Sequence, residues 1–87
     1  MMNKVWTDDG WKHYLYWQEI NRRNVRRIND LLKSIERDGL LNGIGNPEKL
    51  RYREGFSRRI DGENRLVYAV DEKGNLVIIA CKGHYED

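Results

Sequence analysis

The stretch Arg65-Leu66-Val67-Tyr68-Ala69-Val70-Asp71-Glu72-Lys73-Gly74-Asn75-Leu76-Val77-Ile78-Ile79-Ala80-Cys81 decides the fold. Two strand-forming runs flank residues 71–75, whose Asp, Gly and Asn are turn formers. The second run is apolar on both faces, which places it in the middle of a sheet. Upstream, residues 56–60 alternate as a strand does, and Asp61-Gly62-Glu63-Asn64 reads as another tight turn. That turn brings Arg59 and Arg65 near one another. Before it, residues 40–49 form a loop marked by Gly43, Gly45, Asn46 and Pro47.

The N-terminal part has a different period. Residues 3–6 read as a short strand, and Thr7 offers a hydroxyl cap with Asp8 and Asp9 in the first helical turn. Trp11, Tyr14, Leu15 and Gln18 then share one helical face. His13 falls off that face and reads as an exposed group. Asn21 can cap a second helix, whose apolar stripe is Val25, Ile28, Leu32 and Ile35 with Leu31 alongside, and Gly39 is its stop. Strand, helical hairpin and a run of turn-linked strands make a single α+β domain over residues 1–87. The hairpin packs on one face of a twisted, mostly antiparallel sheet of four to five strands. The other face collects the side chains that resist burial.

Length and composition narrow the chemistry. Eighty-seven residues make one small domain, and Leu, Ile, Val and Phe supply 21 of them, enough for a core. No apolar run reaches the ~20 residues of a membrane span. Residues 1–6 show no apolar export signal, and Cys81 is the lone cysteine, so a reducing cytoplasm is the expectation. Net charge is only +2, yet residues 22–59 hold eleven basic against five acidic groups. Ten of the sixteen cations are Arg, whose fork suits phosphate. A polyanion met by one face fits this distribution, and a solvated helix face is the plain alternative.

Two widely separated histidines and scattered acids give no metal-ligand spacing, and there is no nucleophile elbow. Gly43-Ile44-Gly45 reads as a flexible turn rather than a phosphate cradle. Arg58 is expected in a salt bridge, outside any site. A Glu, several Arg, a His and a Tyr remain. This set suits cofactor-free and metal-free cleavage of RNA, which carries its own nucleophile in the 2′-hydroxyl. His84, just past the run at 76–81, stands where chemistry could use it, though histidine has many other uses.

Five segments carry a resemblance. Trp11-Lys12-His13-Tyr14-Leu15-Tyr16-Trp17-Gln18-Glu19, Asn46-Pro47-Glu48-Lys49-Leu50, Ser57-Arg58-Arg59-Ile60, Arg65-Leu66-Val67-Tyr68 and His84-Tyr85 together resemble the YoeB/Txe toxins of the RelE superfamily. The resemblance implies a RelE-like fold and a ribosome-dependent mRNA endoribonuclease, an mRNA interferase that cuts in the ribosomal A site. It also implies a YefM/Axe-like antitoxin as partner, and a homodimer. By position, Glu48 is then the general base, His84 the general acid, Arg65 the stabiliser of the phosphorane, and Tyr85 the group that orients the scissile nucleotide. Arg51, where relatives usually carry Lys, and Arg59 hold flanking phosphates. Arg22, Arg23, Arg26 and Arg27 face ribosomal RNA. The implied products are a 2′,3′-cyclic phosphate and a 5′-hydroxyl. Glu86 and Asp87 extend the chain past the point where relatives often stop. Two rivals keep their place: a ParE-like gyrase poison of the same fold, and a non-catalytic RNA- or ribosome-binding regulator. Neither requires Glu48, Arg65, His84 and Tyr85 together.

Overall fold

Thr7 accepts the Gly10 N–H at 3.0 Å through its hydroxyl and donates the same hydroxyl to the Ile79 carbonyl at 2.7 Å, so one side chain both starts a helix and fixes it to a sheet. The computed structural model describes residues 2–84. Its elements are β1 (Lys4–Trp6), α1 (Asp8–Ile20), α2 (Arg22–Asp38), β2 (Glu48–Lys49), β3 (Phe56–Arg59), β4 (Arg65–Val70) and β5 (Leu76–Ala80). The five strands form one sheet in the order β1-β5-β4-β3-β2. Among the described residues only the β1–β5 pair is parallel. The expected α+β architecture is present. β5 is interior, as its two apolar faces require, but the middle place belongs to β4.

Asn21 is the whole connection between the helices. Its carbonyl side chain accepts the Arg23 N–H at 3.1 Å while its own N–H closes α1 on the Trp17 carbonyl at 2.8 Å. The stripe of α2 buries Ile28, Leu31, Leu32 and Ile35 against Leu66, Tyr68, Leu76 and Ile78 of the sheet. The phase of α1 differs from the expected one. Gly10, His13, Tyr14 and Trp17, at offsets of three, four and seven, face inward, while Trp11 and Leu15 stay 47% and 40% exposed. Gly10 contributes no side chain, so the inward face looks less apolar than the outward one.

His13 is consequently half-buried rather than a surface group. Its Nδ1 accepts the Cys81 N–H at 3.1 Å, and Trp17 Nε1 donates to the Cys81 carbonyl at 2.7 Å. Together they hold the chain where it leaves β5. The Cys81 thiol beneath them is pushed up to about 12 by burial and is not a nucleophile near neutral pH.

Arg58 also departs from expectation. It is fully buried, and its hydrogen bonds go to hydroxyls and backbone carbonyls rather than to a carboxylate among the described residues. Its Nε donates to the Tyr68 hydroxyl at 2.9 Å, and Nη1 donates to Ser34 Oγ at 3.1 Å and the Ile44 carbonyl at 2.9 Å. Nη2 donates to the carbonyls of Gly39 and Asn42, both at 2.7 Å, and to that of Leu40 at 3.4 Å. Ser34 Oγ donates in turn to Asp38 Oδ2 at 2.9 Å, so that carboxylate is linked to Arg58 through a hydroxyl. Gly43, at φ +100°, packs so closely on Ser34 and Asp38 that a β-carbon would collide with both. The 43–45 turn is therefore a packed element rather than a flexible one.

Burial holds the His13 pKa below 6.5, opposed by nearby Asp9 and reinforced by Lys82. The unfolded chain then binds more protons than the native one below pH 6.5. Stability is full above that value and falls as pH drops through the lowered native one. Asp38, Asp61 and Asp71 are held below their ordinary range and act only in stronger acid. The urea midpoint of the parent is expected to fall between about pH 7 and pH 5. In His13→Asn, whose side-chain oxygen replaces Nδ1 as acceptor, it should fall distinctly less. Equal slopes in the two proteins would contradict this role.

Candidate active site

The face of the sheet opposite the helices is organised by pairing register. Glu48 lies across from Ser57, Ser57 from Val67, and Arg59 from Arg65. Alternation along β3 sends Arg58 and Ile60 into the core and leaves Ser57 and Arg59 on the open face. The same alternation in β4 buries Leu66 and Tyr68 among the core residues and puts Arg65 on the open face.

Glu48 was expected in a loop, but it opens the two-residue edge strand β2. Pairing with β3 orients its carboxylate over the sheet. Arg65 Nη2 donates to Glu48 Oε1 at 3.2 Å and Nε donates to Ser57 Oγ at 3.2 Å. Asn46 Nδ2 donates more weakly to the same carboxylate oxygen, at 3.4 Å. The Arg65 side chain is 15% exposed and that of Glu48 is 55% exposed. An ion pair with so accessible a partner contributes about 0–1 kcal/mol. Stability does not account for it, and its effect is to hold a guanidinium and a carboxylate side by side at the surface.

The chain end comes to the same place. Arg65 N–H donates to the Gly83 carbonyl at 3.1 Å, and Gly83 N–H donates to Asn64 Oδ1 at 2.8 Å. His84 follows immediately and is exposed. The strand feeding it carries an irregularity. Val67 pairs with Ala80 and Tyr68 with Ile78, so Ile79 is an extra residue that bends β5 as it delivers the tail.

Glu48, Arg59 and Arg65 thus share one face of the sheet, and the backbone that leads to His84 is tied to Arg65 at Gly83. Arg51 lies past the end of β2 and is exposed, its guanidinium 5.9 Å from the ring centre of Tyr52. Arg22, Arg23 and Arg26 form a separate exposed row on α2. Arg27 bridges the two regions, donating through Nη2 to the Arg59 carbonyl at 3.3 Å. Tyr85, Glu86 and Asp87 lie outside the described residues.

Several site partners were not singled out from sequence. Ser57 has a readable signal, because it alternates onto the face of Arg59. Asn64 reads only as a turn residue. Its tie to Gly83 spans nineteen residues and has no local signature. The Asp61 carboxylate that fixes Asn64 is raised by partial burial. It is lowered more by the Glu63 N–H, the Asn64 amide and Asn24, and it ends below its ordinary range.

Among the described residues no helix is long and apolar enough to cross a membrane. A model of the YoeB-like toxin of bacterial type II toxin-antitoxin system matches residues 6–85. Toxin YoeB of Escherichia coli K12 is 46% identical over 86 residues, covering 97% of this chain and 100% of that protein. The YoeB dimer from Staphylococcus aureus superposes with a TM-score of 0.89 at 45% identity, covering 97% of this chain and 98% of that one. The YoeB-YefM complex from the same organism gives a TM-score of 0.87 at 45% identity, with 98% and 99% covered. With the match running from the last residue of β1 through both helices, strands β2 to β5 and the segment that follows them, the chain belongs to the YoeB-like toxin family of bacterial type II toxin-antitoxin systems.

Proposed function

We propose that this protein is a ribosome-dependent mRNA endoribonuclease that acts in the bacterial cytoplasm and arrests translation. The observation that carries the reading is the Glu48–Arg65 contact of 3.2 Å on an open sheet face, with Gly83 tied beside it and His84 next in the chain. Glu48 takes the proton from a ribose 2′-hydroxyl. The 2′-oxygen attacks the adjacent phosphorus as the bond to the 5′-oxygen breaks. His84, protonated, gives its proton to that leaving oxygen. Arg65 neutralises the charge that builds on the phosphorane, and Arg59 and Arg51 hold neighbouring phosphates. Tyr85 orients the scissile nucleotide. The products are a 2′,3′-cyclic phosphate and a 5′-hydroxyl, with no metal taking part.

A carboxylate is a weak base toward a hydroxyl, so most of the rate has to come from positioning. That requirement favours dependence on the ribosome, which holds the message in one conformation. The exposed arginines of α2 suit the phosphates of ribosomal RNA. The Staphylococcus aureus relatives support a YefM-like antitoxin and a second copy of this chain as partners.

Primer extension on mRNA from a translating extract is expected to show new 5′ ends only when the protein is added. The upstream fragments should end in cyclic phosphate. Glu48→Ala and His84→Ala should each slow single-turnover cleavage by at least about 10²-fold with ribosome affinity preserved. Intact mRNA would contradict the reading and leave a gyrase poison of the same fold or a non-catalytic ribosome-binding regulator. Equal loss of ribosome binding in both variants would make the two residues structural. Ribosome association should also weaken steeply with salt, and replacing Arg22, Arg23 and Arg26 with Gln should flatten that dependence. A slope unchanged by the triple substitution would leave the arginine row as a solvated surface.

A further inference from the structure

Between β5 and His84 hydrogen bonds hold the chain at two residues, and the ammonium of Lys82 between them lies 4.5 Å from the ring centre of Tyr16. The first is Cys81, held by His13 and Trp17 on the helix side. The second is Gly83, at φ +89°, whose N–H and carbonyl are both bonded to the dipeptide Asn64-Arg65. A glycine suits this left-handed backbone, which lets both polar groups of one residue turn toward β4.

The Asn64 side chain is fixed by its surroundings. Its Nδ2 donates to Asp61 Oδ1 at 3.0 Å and Oδ2 at 3.1 Å, which only the amide nitrogen can do. Oδ1 is then the atom presented to Gly83, at 2.8 Å. The Asn64 backbone is equally tied, its N–H donating to Asp61 Oδ1 at 2.8 Å and its carbonyl accepting from Ile60 at 2.9 Å. Asp61 is anchored to α2 by Asn24, which is 4% exposed and donates to Asp61 Oδ2 at 3.0 Å. A rigid chain of polar contacts thus runs from the helix through the turn to the residue before His84.

We propose that Asn64 is a positioning residue for catalysis: its side-chain oxygen holds Gly83 and thereby sets the imidazole of His84 against the guanidinium of Arg65. The inference rests on the ribonuclease reading. Asn64 touches neither substrate nor reacting atoms. It acts through the one-residue spacing that separates Gly83 from His84 and Asn64 from Arg65.

The test is single-turnover cleavage of ribosome-bound mRNA at saturating protein, with urea denaturation alongside. Asn64→Ala is expected to lower the rate about tenfold while half-saturation and the urea midpoint change little. Asn64→Asp keeps an oxygen facing the Gly83 N–H and gives up the donor to Asp61. It should keep more of the rate than Asn64→Ala although it loses the same bond to Asp61, an order that a loss of general stability would not give. Parental rate in Asn64→Ala, a loss confined to ribosome affinity, or a folded Asn64→Asp protein no faster than Asn64→Ala would each overturn the proposal. Amide hydrogen exchange of Gly83 in the parent protein supplies a readout apart from activity. Protection there supports the tether, and free exchange overturns it. A parent that leaves mRNA uncut removes the ribonuclease reading instead, and the Gly83 amide still reports the contact.

Discussion

The structure depends on a cation placed where water cannot reach it. An isolated charge in a protein interior is prohibitive, and it is tolerated only when its donors are met. Arg58 meets that condition with two hydroxyls and four backbone carbonyls, and with the ring of Tyr68, 5.7 Å from its central carbon. The carbonyls all belong to the segment that leaves α2. Those carbonyls gain partners that a loop lacking secondary structure cannot otherwise supply. The same bonds fix its course toward β3, where the Gly45 carbonyl accepts the Arg59 N–H at 2.7 Å. Glu48 stands three residues further on, so the path of the loop decides where the carboxylate enters the sheet.

Core and site are joined through one short strand. Ser57 and Arg59 face the open side, and Arg58 between them faces the core. A shift of β3 by one residue would turn both toward the helices and expel the internal cation. The register that satisfies Arg58 is therefore also the one that sets Ser57 beneath Arg65 and Arg59 opposite it. The tail obeys the same arrangement from the other side of Arg65, because its last described tie is to the strand that carries that residue.

How much of this is legible in the sequence depends on the range of the interaction. The α2 stripe, the two tight turns and the nearness of Arg59 to Arg65 follow from period and turn chemistry, which are local. The phase of α1 is misread because its inward face is built on Gly10, a residue that registers in no apolar pattern. With the phase corrected, His13 moves inward and its bond to Cys81 explains itself. Glu48 reads as loop because two residues cannot show alternation, and only pairing with β3 makes them a strand. Arg58 reads as an ion-pair partner because a cation ordinarily finds a carboxylate. A cage of carbonyls leaves no trace in composition. Of the candidate site, the residue types and their family positions could be read, while the contacts that hold Arg65 and Gly83 are long-range.

The most direct measurement of the internal cation is nitrogen-resolved NMR of the Arg58 guanidinium near neutral pH. Bonds from Nε, Nη1 and Nη2 to fixed partners predict separate, slowly exchanging Nη signals and an Nε proton protected nearly to the level of global unfolding. A single averaged Nη signal exchanging at the rate of a surface arginine would contradict the account, because the loop that delivers Glu48 would then lack the cation on which its carbonyls converge.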